Sequence, residues 1–151
     1  MSIDVTIEAQ IARPPETVFA RIADVEMWPT WLVASGITSV TRTAAGPIAT
    51  GERLTVDQRA AGRAGTFDAV IREVAPPTGL ALEGRDSDGV EIEIAASLTA
   101  ADEGTALRWA IRIGLPFRYR IFESMARPEV ERAAALDIER LRQELESTGV
   151  A

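Results

Sequence analysis

The chain has 151 residues, the usual size of one domain, so we expect residues 1–151 to fold as a single unit. It contains no cysteine, histidine or lysine, which excludes disulfides, thiolate chemistry and Schiff-base catalysis, and we expect neither a metal site nor a cofactor. Its net charge of −7 at pH 7 argues against nucleic acid as a partner, because contacts to phosphates need a basic face.

The first predicted element is a strand over residues 3–11, in which every second residue is apolar. A period of two with one polar face is typical of an antiparallel strand. Pro14 and Pro15 end the strand, because neither can donate a hydrogen bond to a sheet.

Two short helices are predicted next. Pro15 suits the first turn of a helix, and the residues after it form an apolar stripe of Val18, Phe19, Ile22 and Ala23. Asp24 is a candidate N-cap for a second, shorter helix. Pro29 disfavours helical backbone at Trp28 and ends it, which leaves Trp28 and Trp31 close together.

The middle of the chain predicts six more strands, separated by turns rich in Gly, Pro and Asp. Their predicted ranges are 36–43, 51–59, 65–74, 80–84, 90–98 and 107–113. The second and third form a predicted hairpin around the Ala-Ala-Gly-Arg turn at residues 60–63.

The end of the chain predicts a long helix over residues 129–146. Its apolar residues recur at spacings of three and four, at Val130, Ala134, Ile138, Leu141 and Leu145. Phe117, Ile121 and Met125 form a second stripe upstream, and Pro128 separates the two, so we expect a break or kink there.

This order of elements predicts an α+β fold. A seven-stranded antiparallel sheet with one apolar face needs a cover, and only the C-terminal helix is long enough to supply it. Twist then curves the sheet around that helix, and the two short helices between strands 1 and 2 close one end of the tunnel.

Several stretches resemble the START-like SRPBCC superfamily and, within it, the polyketide cyclase/dehydrase-like branch. They are residues 3–8, 14–24 with the Trp-Pro-x-Trp that follows, Gly51-Glu-Arg, Val74-Ala-Pro-Pro, Gly104-Thr and 139–146. The resemblance implies the helix-grip fold, in which a curved seven-stranded antiparallel sheet wraps around a long C-terminal helix. It also implies an unfilled cavity between sheet and helix. Members include lipid and hormone carriers, aromatase/cyclases and plain binding proteins, with no shared catalytic motif.

The candidate ligand-binding residues are those expected around this cavity. The sheet would supply Leu54, Val56, Phe67, Leu82, Ile92, Ile94, Trp109 and Ile111, and the helix side Phe117, Ile121 and Met125. We expect Trp31 at the rim, and Tyr119, the single tyrosine, as a hydroxyl donor at the mouth. The alternative for each apolar residue is ordinary core packing.

Three functions stay open: binding of a small hydrophobic or amphipathic ligand, a polyketide cyclase or dehydratase activity, and a protein-interaction module of the same fold. The first residues contain no apolar segment typical of a signal peptide, and no apolar run approaches the roughly 20 residues that span a bilayer. We therefore expect no membrane span and a cytoplasmic location. A homodimer also stays open.

Overall fold

A computed structural model describes residues 2–60 and 62–148. The strands are β1 Ser2–Ile11, β2 Ile37–Arg42, β3 Arg53–Ala60, β4 Arg63–Ala75, β5 Gly79–Asp86, β6 Glu91–Ala101 and β7 Gly104–Gly114. The α-helices are α1 Pro15–Ala23 and α2 Glu123–Thr148, and 3-10 helices cover Val25–Thr30 and Phe117–Phe122.

The seven strands form one antiparallel sheet in the order β1-β7-β6-β5-β4-β3-β2. Neighbouring strands in this order also follow one another along the chain, except at the β1–β7 pairing, which joins strands distant in sequence. This sheet, the long C-terminal helix and the two short helices between β1 and β2 confirm the predicted fold class.

The register brings apolar side chains of neighbouring strands into rows on one face of the sheet, the inner face. One such row runs through Val5, Ile111, Ile94, Leu82 and Ile71, all of which are buried. Alternation sends the intervening charged residues to the outer face, so the period-two pattern of the sequence fixes which side forms the core.

Helix α2 lies on the inner face and packs most closely against β1. From its middle to its C-terminal end, the helix buries Ala134, Ile138, Leu141 and Leu145. Arg13, just after β1, donates from Nε to the Leu145 carbonyl at 2.9 Å and from a terminal nitrogen to the Glu146 carbonyl at 2.8 Å. Arg13 therefore ties the end of β1 to the last turns of α2, where a cation also interacts favourably with the helix dipole.

The expected break at Pro128 is wrong, because α2 continues through this residue. Pro128 lies in the second turn of the helix, close to its N-terminal end. Its ring therefore removes one hydrogen bond, to the carbonyl of the exposed Ser124, which water can reach. The change of helix type occurs earlier, where the 3-10 helix ends at Phe122 and α2 begins at Glu123.

The loop before β2 is held against α2 by one buried carboxylate. Asp137 accepts hydrogen bonds from the backbone N–H groups of Ala34 at 2.7 Å and Ser35 at 2.9 Å. Gly36 then turns the chain into β2 with φ of +80°, and a Cβ there would lie 2.0 Å from the Arg59 carbonyl oxygen. Glycine is required at this position, and the contact aligns β2 beside β3.

No helix within residues 2–60 and 62–148 has both the length and the apolar character needed to cross a membrane.

Candidate ligand-binding site

The three tryptophans of the chain form one buried cluster. Trp28 lies in the first 3-10 helix, Trp31 follows it, and Trp109 projects from the inner face of β7. The ring centroids lie 5.3 Å apart for Trp31 and Trp109, 5.9 Å for Trp28 and Trp109, and 6.3 Å for Trp28 and Trp31, all edge to face. This geometry is favourable for aromatic rings and joins the first 3-10 helix to the sheet.

The three indole N–H groups differ in their hydrogen bonding. Trp28 donates from Nε1 to the Ile22 carbonyl at 2.8 Å. Trp31 Nε1 and Trp109 Nε1 are buried and have no hydrogen-bond partner in the part of the chain that the structure describes. A buried donor without a partner costs about 1–3 kcal/mol. Two such donors in adjacent rings mark a place where an acceptor is expected.

A small apolar cavity lies beside this cluster on the inner face. It is lined by Trp28, Ile37, Val56, Gln58, Phe67, Ala69, Leu82, Ile92 and Ile94. Its volume is about 10 Å³, enough for about one water molecule. The open cavity expected from the resemblance is therefore largely filled, because the indoles and the aliphatic inner face close on one another.

The structure brings together five of the predicted lining residues. Val56, Phe67, Leu82, Ile92 and Ile94 all border the cavity. Three other predicted residues, Leu54, Trp109 and Ile111, are buried on the same inner face without bordering it.

The expected position of Trp31 at the rim is corrected by the structure. The ring is fully buried and packs against Trp28 and Trp109. The backbone turn after the first 3-10 helix explains this, since the N–H groups of Trp31 and Leu32 both bond to the Trp28 carbonyl and direct the chain back towards the sheet.

The expected inward position of Phe117, Ile121 and Met125 is also wrong, because all three are exposed. The inner side of this segment is formed by a different set of residues at helical spacing: Tyr119, Glu123, Ala126 and Val130. The stripe of Phe117, Ile121 and Met125 leads to the charged Glu129 and Arg132, one residue out of phase with the buried face of α2. Tyr119, expected at the mouth, is half-buried and packs against the core.

The two ends of the tunnel between sheet and α2 are closed to different degrees. At one end, Ile11, Leu98 and Leu107 are buried, and α1 packs on β6 and β7. At the other end, Ile92 and Ile113 of the inner face are only half-buried. The 3-10 helix Phe117–Phe122 and the start of α2 lie at this second end, which we call the mouth.

Glu123 was missed by the sequence reasoning, and it is the most unusual polar residue near the mouth. Only 7% of its surface is exposed, and its Oε1 atom is buried without a hydrogen-bond partner among the described residues. It is the first residue of α2, where a carboxylate interacts favourably with the helix dipole. Its spacing of four from Tyr119 and seven from Val130 was the signal that places it on the inner side.

The larger groove of the protein lies on the outer face and has a volume of about 410 Å³. Four of its charged residues form ion pairs with one another: Arg85 contacts Glu91 at 3.2 Å and Arg112 contacts Glu93 at 3.7 Å. Such exposed pairs contribute little, and the groove contains no buried polar atom without a partner among residues 2–60 and 62–148. The candidate site is therefore the inner side of the sheet, where the indole cluster adjoins the small cavity.

A sequence profile of the family described as polyketide cyclase / dehydrase and lipid transport matches residues 2–146. The chain belongs to this family. It is the polyketide cyclase/dehydrase-like branch that the sequence motifs predicted.

Solved structures agree with this fold. The Zhui aromatase/cyclase from Streptomyces sp. R1128 superposes with a TM-score of 0.79 at 16% identity, over 100% of this chain and 98% of that chain. A START superfamily protein from Mycobacterium smegmatis gives 0.75 at 16% identity, over 96% and 98%. A Mesorhizobium loti protein gives 0.73 at 21% identity, over 97% and 99%. No curated protein matches the sequence.

Proposed function

We propose that this protein binds a small apolar or amphipathic molecule with a hydrogen-bond acceptor, in the space between the inner face of the sheet and α2. The observation that carries the proposal is the pair of buried indole N–H groups of Trp31 and Trp109, which lack partners among the described residues and lie in adjacent rings. A carbonyl or hydroxyl oxygen of a ligand would accept from them, and the apolar walls would hold the remainder.

A single ordered water molecule is the competing way to satisfy these two donors. Water in a cavity needs two to four polar partners. The small cavity beside the cluster is bordered by neither Trp31 nor Trp109. Its walls are apolar apart from Gln58, whose amide nitrogen already donates to the Ser35 carbonyl at 2.8 Å, so a water molecule there would find few polar partners. These walls favour an apolar molecule carrying one oxygen over water alone.

Entry of a ligand requires the tunnel to widen, because pockets for such molecules measure roughly 300–1,000 Å³. The mouth has few buried side chains, because the N-terminal half of α2 covers the sheet there only with Ala126, Val130 and the charged Glu123. Few buried apolar contacts mean a low free energy of local opening. Outward movement of the 3-10 helix Phe117–Phe122 with this half of α2 would admit the ligand.

The binding proposal predicts that a ligand from a panel of fatty acids, sterols, flavonoids and aromatic polyketides raises the Tm and quenches tryptophan fluorescence. At a concentration of 100 times Kd, the ligand would stabilise the protein by about 2.7 kcal/mol. Trp31→Phe and Trp109→Phe should each weaken binding about three- to tenfold in calorimetry, because each removes one donor.

Trp28→Phe is the matched control, since its N–H already bonds to Ile22 and is not free for a ligand. Because Trp28 also lines the cavity, this variant should lower the Tm and change the affinity less than Trp31→Phe and Trp109→Phe do. The proposal fails if no member of the panel raises the Tm, or if the Trp31 and Trp109 variants bind as tightly as the wild type.

An enzyme of the cyclase or dehydratase class is the second candidate, and Glu123 favours it. A buried carboxylate at the mouth can take a proton from the carbon between two ketones of a bound chain and return it to a departing hydroxyl group. Tyr119, on the same side of the segment, would orient a carbonyl.

This candidate predicts that the wild type converts a poly-β-ketone thioester analogue to cyclised product, followed by chromatography and mass spectrometry. Glu123→Gln keeps the shape of the side chain and should lower kcat by about 10²–10⁴-fold while ligand affinity is retained. Equal turnover by the two proteins would remove Glu123 from the chemistry, and absence of turnover by the wild type would leave binding as the function.

A further inference from the structure

Four large apolar side chains protrude around the mouth. Phe117 is 85% exposed, Ile121 77%, Met125 72% and Phe122 49%. We call them the apolar ridge. The other exposed large apolar residues among those described, Met27, Val33 and Leu136, are scattered along the chain. Single exposed apolar residues are normal on a protein surface, but a cluster of this kind marks an interaction site.

The exposed charges of the segment that carries the ridge are opposite in sign to the net charge of the protein. Arg118, Arg120 and Arg127 lie within residues 116–128, and the one acidic residue of that segment, Glu123, is buried. The exposed charges of the segment are therefore all positive, in a chain of net charge −7. An anionic partner is attracted here and repelled elsewhere on the molecule.

The three arginines of the segment differ in whether they form an ion pair with a carboxylate of the protein. Arg120 forms no ion pair and Arg127 donates only to the backbone carbonyls of Asp4 and Ser2, among the contacts of the described residues. Arg118 donates to the Asp88 carbonyl at 2.7 Å and lies 3.8 Å from the Asp88 carboxylate. At least two guanidinium groups remain available to external phosphates.

We propose that the apolar ridge and its arginines dock this protein on an anionic lipid bilayer. Aromatic and aliphatic tips on a short helical segment with arginines beside them have the character of an interfacial anchor, which inserts apolar side chains while the cations contact lipid phosphates. Docking of a second copy is disfavoured, because a two-fold axis through the ridge would bring the arginines of both copies together. The proposal goes beyond ligand binding and does not depend on it.

The test is sedimentation of the full chain with vesicles of phosphatidylcholine and phosphatidylglycerol in equal amounts, compared with phosphatidylcholine alone. The wild type should bind the anionic vesicles more tightly, and added salt should weaken that binding. Phe117→Ser combined with Ile121→Ser should reduce the partition coefficient at least about tenfold, and Arg120→Gln about fivefold. Leu136→Ser and Arg132→Gln, farther along α2, are matched controls that should bind as the wild type.

All of these positions are exposed, so circular dichroism and the Tm should show every variant folded. The proposal is overturned if the wild type does not associate with anionic vesicles, which is also the result expected if the ridge binds an acidic protein. Equal binding by the ridge variant and the wild type would overturn it too. So would a dimer in analytical ultracentrifugation that the ridge variant dissociates while vesicle binding is unchanged.

Discussion

Replacing Trp28 by alanine is expected to lower the free energy of unfolding by about 3–5 kcal/mol, the usual cost of truncating a buried tryptophan. The ring is fully buried, contacts both other indoles and lines the inner cavity. Its N–H is also the donor to the Ile22 carbonyl at 2.8 Å. The loss is large compared with the roughly 5–15 kcal/mol of a typical domain. Urea denaturation followed by circular dichroism measures it.

Phenylalanine variants separate the ring from its hydrogen bond. Trp28→Phe keeps most of the apolar volume but loses the bond to Ile22, and should cost about 1–3 kcal/mol. Trp31→Phe loses no bond within the described chain and removes a buried donor without a partner, so its cost should be the smaller of the two. Equal losses for the two variants would contradict the different roles that the structure gives these indoles.

Much of the fold could be predicted because the strands have one polar face that is turned towards solvent. Alternation over β1, β6 and β7 directs one set of residues to the core, and the register of the sheet then brings those sets together. The proline and glycine turns separate the strands at the places where the structure has them. Period-two patterns report burial directly, which explains why Val56, Phe67, Leu82, Ile92 and Ile94 could be predicted to lie on the inner face, where they border the cavity.

The helical side of the site was harder to predict for a physical reason. A helix presents several overlapping stripes, and Phe117, Ile121 and Met125 form a more apolar stripe than Tyr119, Glu123 and Ala126. Hydrophobicity alone selects the first set, but the phase of the helix is fixed by the larger buried face farther along α2. The phase of the helix therefore leaves the apolar stripe exposed to solvent, where its residues form part of the apolar ridge.

The site also depends on features that no local pattern contains. The position of Trp31 is set by packing against Trp109, which is distant in sequence and belongs to another element. The indole N–H groups and the Glu123 carboxylate oxygen that lack partners among the described residues can be identified only when every neighbouring atom is placed. Sequence periodicity predicts which residues are buried, whereas the hydrogen bonds that remain unmade belong to the three-dimensional arrangement.

Asp137 is the second residue whose replacement should lower the free energy of unfolding by a large amount. Its carboxylate accepts the N–H groups of Ala34 and Ser35 and so fixes the loop before β2 to α2. Asp137→Ala leaves both donors without this partner and should lower the free energy of unfolding by about 2–3 kcal/mol, since hydrogen bonds to charged groups are among the stronger ones. Asp137→Asn keeps one acceptor and should lose less. A Tm unchanged by Asp137→Ala would contradict this role.

The same carboxylate predicts a pH dependence with a defined sign. Burial raises the pKa of Asp137 above its ordinary value of 3.8, although the hydrogen bonds from Ser35 and Ala34 act in the opposite direction. Because the folded state then binds the proton more tightly than the unfolded state, protonation of Asp137 stabilises the fold. That contribution is complete below the unfolded pKa and is lost as the pH rises through the folded pKa.

Other carboxylates behave in the opposite way, because hydrogen bonds from Ser39 and Thr66 lower the pKa of Asp57 and stability from that group is lost as the pH falls. Comparison of the wild type with Asp137→Asn cancels such shared contributions. The stability of the wild type relative to this variant should decrease as the pH rises from below 3.8, and then become constant above the folded pKa. Denaturation curves over this range measure the difference, and parallel curves would mean that Asp137 titrates alike in the folded and unfolded chains.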